Sequence, residues 1–161
     1  MAIPLRQQAS DGPDRDRRVA LRWNATWDSG TVTAAEARAA VGDFLARVRA
    51  STRVPVPDHV AQDAHLVVSE LVANVVRHAP GPCGLGLELP AAGDRLRISV
   101  WDTSPAPPRP RPPDGRRVGG HGLEIVQAIS RTVTVAPWGR GKRITAELAL
   151  PADGTPHPGG A

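Results

Sequence analysis

The chain has 161 residues, with 20 Lys or Arg against 16 Asp or Glu, a formal charge of +4, and aromatic residues at only 3 %. That length predicts one domain with a core large enough to need neither disulfide nor metal. Cys83 is the only cysteine, which excludes an internal disulfide framework, and there is no Cys/His cluster for structural zinc.

No apolar run approaches the roughly 20 residues of a membrane-spanning helix. The first 18 residues lack the apolar stretch of a signal peptide. The expected location is therefore the cytoplasm, with no membrane partner. The positive charge raises nucleic acid as a ligand. Acidic residues are interspersed with the basic ones, however, and aromatics are too few for a base-stacking surface, so direct nucleic-acid binding is not expected. Lys142 is the only lysine; every other basic residue is an arginine.

In chain order, residues 1–18 are polar and charged and are expected to be disordered. VALRW at 19–23 alternates like a strand. Thr33 and Glu36 form a capping box, in which hydroxyl and carboxylate each satisfy an orphan amide. The helix they open carries Ala37, Val41, Phe44, Leu45 and Val48 on one stripe. STRVPVP breaks it. Asp58 is expected to cap a second helix that runs to about His78 and ends at APGPCG. GLGLEL (84–89) and RLRISVW (95–101) alternate, with AAGD as the turn of a hairpin. The segment 103–120 is too rich in proline for helix or central strand. GLEIVQAIS (122–130) is helical, and TVTVAPW and KRITAELAL form a second hairpin around GRG. The tail 151–161 is expected to be disordered. One domain over 19–150, ordered strand, two helices, hairpin, loop, helix, hairpin, predicts a two-layer α/β sandwich. Trp23, Trp27, Trp101 and Trp138 read as packing residues or sheet-end anchors.

The second helix contains LVVSELVANVVRHA. At 100° per residue, Asn74 lies about 40° from Glu70, Arg77 about 20° to the other side and His78 about 80° away. Val68, Leu71, Val72, Val75 and Val76 occupy the opposite arc. Two readings fit this two-faced helix. One is a solvated polar face. The other is a metal–nucleotide site, in which the Asn74 carbonyl is a hard oxygen ligand for Mg²⁺ and Glu70 orients or deprotonates a nucleophile. Asp102, just after a strand, either starts a turn or accepts a hydrogen bond from an exocyclic amine such as that of adenine. Gly119, Gly120 and Gly122 stand at the start of a helix, where backbone and phosphate can approach closely.

Taken in order, ELVANVVRHA, VWD, GGHGLEIV and GRGKRITAEL resemble the GHKL ATPase superfamily, which includes gyrase, heat-shock-90 chaperones, histidine kinases and a mismatch-repair ATPase. Within it the chain is most similar to the anti-sigma-factor serine/threonine-kinase branch. The resemblance spans roughly residues 20–150. It implies a Bergerat-type ATP-binding fold, a mostly antiparallel mixed sheet covered on one face by three helices. It also implies ATP and Mg²⁺ as cofactors, with Asn74 on the metal and Glu70 as the catalytic base. Asp102 would sit on the adenine amine, and Gly119, Gly120 and Gly122 beside the phosphates. Arg77 and His78 follow the family's pattern after the asparagine. Arg77 suits phosphate as a bidentate donor, and His78 suits either that site or the helix C-terminal dipole.

The implied function is a protein serine/threonine kinase that phosphorylates an antagonist protein to control a sigma factor, with a homodimer as a further expected assembly. The alternative is a GHKL module that regulates a partner by contact without kinase activity. Two departures from the family pattern motivate that alternative. Prolines follow Asp102 where glycines are common. Arg143 stands at or beside a place where many members carry threonine, which leaves Thr145 as the expected substitute. GRGKR lacks the spacing and the Ser/Thr of a Walker A loop.

Overall fold

The computed structural model describes residues 19–28, 32–79, 81–104 and 122–151. Residues 1–18 and 152–161 of the two segments expected to be disordered, most of the proline-rich segment, and Gly119 and Gly120 lie outside the described residues.

Eight elements follow one another: β1 (Val19–Trp27), α1 (Ala34–Ser51), α2 (Asp58–His78), β2 (Cys83–Pro90), β3 (Arg95–Trp101), α3 (Gly122–Ile129), β4 (Thr132–Trp138) and β5 (Gly141–Ala149). The strands form one sheet in the order β1-β2-β3-β5-β4. Every pairing is antiparallel. The expected order of elements is reproduced, and β1 runs four residues beyond the expected VALRW because the alternation continues through Ala25 and Trp27.

Local chemistry sets the helix starts. Glu36 N donates to Thr33 Oγ1 at 3.1 Å and Thr33 N donates to Glu36 Oε2 at 2.9 Å, so the capping box closes at the head of α1. The buried residues of α1 are Ala37, Val41, Phe44, Leu45 and Val48, the stripe read from the sequence. At α2 the cap is Pro57, in extended backbone with φ −62° and ψ 152°, and not Asp58. Asp58 is the first helical residue and makes no side-chain cap bond. Proline pre-sets the entry angle and has no amide to satisfy, while Asp58 still sits favourably at the positive end of the helix dipole.

The helices cover one face of the sheet. Leu85, Leu87 and Leu89 of β2, Leu96, Ile98 and Val100 of β3, and Ile144, Ala146 and Leu148 of β5 point into the core, where they meet Val67, Val68, Leu71, Val72 and Val75 of α2. Val76, at the edge of the apolar arc, is 45 % exposed and leaves that core. Trp23 and Trp27 pack against the core's margin.

The other face of the sheet carries no helix and is laced by charge. Glu88 takes Arg22 at 2.9 Å and Arg97 at 3.2 Å, and Arg97 reaches on to Glu147 at 3.0 Å. Trp101 lies on this face across Gly84, where a Cβ would overlap the indole. Trp138 lies there too, 4.4 Å beneath the Arg143 guanidinium. Among the described residues no helix is long and apolar enough to cross a membrane.

Candidate functional site

Helix α2 owes its shape to two opposed arcs. Its valines and Leu71 bind it to the sheet, which turns the edge bearing Glu70 and Asn74 toward α3. Glu70 and Asn74 are half-buried, whereas Arg77 and His78, in the last turn, are exposed. Glu70 packs directly on the first residue of α3. A Cβ on Gly122 would meet Glu70 Oε2, so a side chain there would push the carboxylate end of Glu70 aside. Asn74 stands one turn further along α2, on the same edge. Among the described residues Asn74 has no hydrogen-bond partner.

The far end of α2 approaches the end of β3. Gly81, in the turn that leaves the helix, sits so close to Thr103 that a Cβ would lie 2.8 Å from its hydroxyl. Asp102 immediately precedes Thr103 and is only 3 % exposed. The turn that leaves α2 thus packs, through Gly81, beside the strand end that carries a buried carboxylate. Asp102 Oδ1 accepts the Ser104 amide at 2.9 Å, which fixes the carboxylate in a short turn. Its Oδ2 is paired with Lys142 Nζ at 2.9 Å.

Thr145 does not join this group. Ile144 and Ala146 point into the core, so Thr145 projects from the other face of β5, where its hydroxyl lies 3.0 Å from that of Ser99. Strand alternation places Lys142 on the core side instead, and Lys142 is the side chain that reaches Asp102. Sequence reasoning missed this pairing. The available signal was a lone lysine two residues before a core isoleucine.

Burial also acts on Cys83, at the start of β2. Its thiol is pushed above the ordinary value of 9.0, first by desolvation and second by the negative charge of Asp102. Among the described residues no group of three His, Cys, Asp or Glu side chains could hold a metal ion by itself. A magnesium ion on this edge would take the Asn74 carbonyl together with phosphate and water oxygens, the mixed ligand set that magnesium prefers. Glu70 and Asn74 on one helix edge, the glycine-opened start of α3 and the buried Asp102 fit a nucleotide–magnesium complex.

A single sheet with one helical layer, with a polar helix edge and a buried strand-end carboxylate, defines the class: a nucleotide-binding sandwich of the GHKL superfamily. Residues 30–148 match the model of the histidine kinase-like ATPase domain, and the chain belongs to that family. The domain is thus of an ATP-binding, regulatory kind. A search of curated proteins found no match.

Proposed function

We propose that the protein is an ATP-dependent serine/threonine kinase that phosphorylates an antagonist protein and thereby controls a sigma factor. The observation that carries this reading is the edge of α2. It sets Glu70 against the first residue of α3 and Asn74 one turn away, on a helix whose end meets the Asp102 loop.

Bound Mg-ATP supplies the phosphoryl group. Glu70 takes the proton from the substrate hydroxyl as that oxygen attacks the γ-phosphorus, and ADP departs with the bridging oxygen. Asn74 would hold the magnesium ion through its carbonyl, and the ion would neutralise phosphate charge. Asp102 accepts from the adenine amine. Gly122, with Gly119 and Gly120 ahead of it in the chain, admits the phosphates to the α3 N-terminus. Arg77 and His78 lie on the exposed turn of α2, where Arg77 can contact phosphate.

The test is calorimetric titration of ATP, with and without Mg²⁺, into wild type and Asn74→Ala, followed by label transfer from ATP to a candidate antagonist. Metal-dependent binding lost in Asn74→Ala, together with a phosphoserine or phosphothreonine product, is the expected result. A folded wild type that binds no ATP ends this reading.

A second reading has one observation in its favour. Lys142 already pairs with the carboxylate assigned to adenine. In that reading the module regulates its partner by contact and transfers nothing. Nucleotide binding without phosphoprotein, unchanged by Glu70→Ala, is its signature.

A further inference from the structure

Asp102 and Lys142 are the charged residues buried among the described ones, at 3 % and 9 % exposure, and they are paired with each other. Removing two charges from water costs several kcal/mol, which their attraction only partly offsets, so a buried ion pair is a poor device for stability alone. This pair is nonetheless held firmly. Asp102 N donates to Lys142 O at 2.9 Å. Gly141 presses so closely on the Asp102 carbonyl that any Cβ there would overlap it. The end of β3 and the start of β5 are thus tied backbone to backbone on either side of the pair.

The residue type is informative as well. A chain that uses arginine for every other basic position uses its one lysine here. An ammonium is a compact point charge with three donors, whereas a guanidinium is a wide planar fork. Among the described residues, the Lys142 ammonium spends one donor on Asp102 Oδ2. Two remain. Asp102, with Oδ1 on the Ser104 amide, keeps acceptor capacity of its own, because an ionised carboxylate offers about four lone-pair sites.

A carboxylate beside an ammonium therefore presents an acceptor next to a donor. The Watson–Crick edge of adenine presents the complement, the exocyclic amine as donor beside the ring nitrogen N1 as acceptor. Resting on the ATP-binding reading above, we propose that Lys142 is a specificity-determining residue: it donates to adenine N1 while Asp102 accepts from the amine. Before the nucleotide arrives, the ion pair neutralises both charges. Guanine presents a carbonyl where adenine carries the amine, and that oxygen meets the Asp102 carboxylate unfavourably.

The test compares ATP with 1-deaza-ATP, which lacks only the N1 acceptor, by calorimetry on the full chain with Mg²⁺. The expected result is about tenfold or more weaker binding of 1-deaza-ATP to wild type, the loss of one hydrogen bond from a charged donor. Lys142→Met is expected to bind the two nucleotides equally, and wild type to reject GTP. This comparison needs only the wild-type protein, so it holds even where Lys142→Met fails to fold. Equal affinity of wild type for ATP and 1-deaza-ATP, or for ATP and GTP, overturns the proposal while leaving ATP binding intact. A folded wild type that binds none of the three overturns the ATP reading and this proposal with it. A purely structural ion pair would not distinguish nucleotides that differ by one ring atom.

Discussion

At the scale of single residues, Glu70 and Cys83 separate two uses of burial. Glu70 is half-buried against glycine backbone, a position suited to a base that must still meet a hydroxyl. Glu70→Ala is expected to lower phosphotransfer by about 10²–10⁴-fold while leaving ATP affinity nearly unchanged, as read by initial rates beside a binding isotherm. A parallel fall in affinity would show that Glu70 holds the nucleotide and does not move the proton. Cys83 is buried beside Asp102 and its thiol pKa is raised above 9.0. The folded state thus holds the thiol proton more tightly than the unfolded chain does. The resulting stabilisation is complete below the unfolded value and disappears as pH rises through the folded one. Denaturant midpoints are expected to fall as pH rises above 9.0, and Cys83→Ala to fall less steeply. Native protein is also expected to resist thiol reagents near pH 8 until it unfolds. At Gly141, where a Cβ would overlap the Asp102 carbonyl, Gly141→Ala is expected to cost about 1–3 kcal/mol by overpacking and to weaken ATP binding along with stability.

At the scale of elements, the helices were the most legible part of the sequence. Helix α1 could be read almost completely, because its capping box and apolar stripe are local patterns within one segment. Thr33→Ala is expected to cost about 1 kcal/mol in chemical denaturation and leave the rest of the fold intact. A much larger loss would mean that the box ties α1 to something beyond its own first turn. In α2 the two-faced pattern gave Val68, Leu71, Val72 and Val75 as buried, as they are, but Val76, read on the same arc, is exposed. Its start was misread: Asp58 has good capping chemistry, but the proline before it took the cap position. Leu71→Ala, at the centre of the α2–sheet contact, is expected to cost about 2–5 kcal/mol. The strands were legible as strands. The β2–β3 and β4–β5 hairpins were legible too, whereas the β3–β5 pairing was not, because it joins segments far apart in sequence. Alternation within KRITAEL puts Lys142 on the face of Ile144 and Thr145 on the other, but Asp102 as the partner of Lys142 depends on the register with β3.

At the scale of the molecule, the helices and the charge ladder divide the sheet's two faces between packing and solvation. Thr145 excepted, the helix-bearing face holds the aliphatic core and the residues assigned to the nucleotide among those described. The other face holds Arg22, Glu88, Arg97 and Glu147 in a chain of partly exposed ion pairs, so its contribution weakens as salt screens it. The sheet between them is a single backbone thick. Trp101 precedes Asp102 and Arg143 follows Lys142, so the buried pair on one side is backed by an indole and a guanidinium on the other. If a base settles against the pair as proposed, the backbone that the pair shares with Trp101 is expected to shift. The chain thus carries its own optical reporter: nucleotide titration is expected to alter tryptophan emission, and Trp101→Phe to silence most of that change.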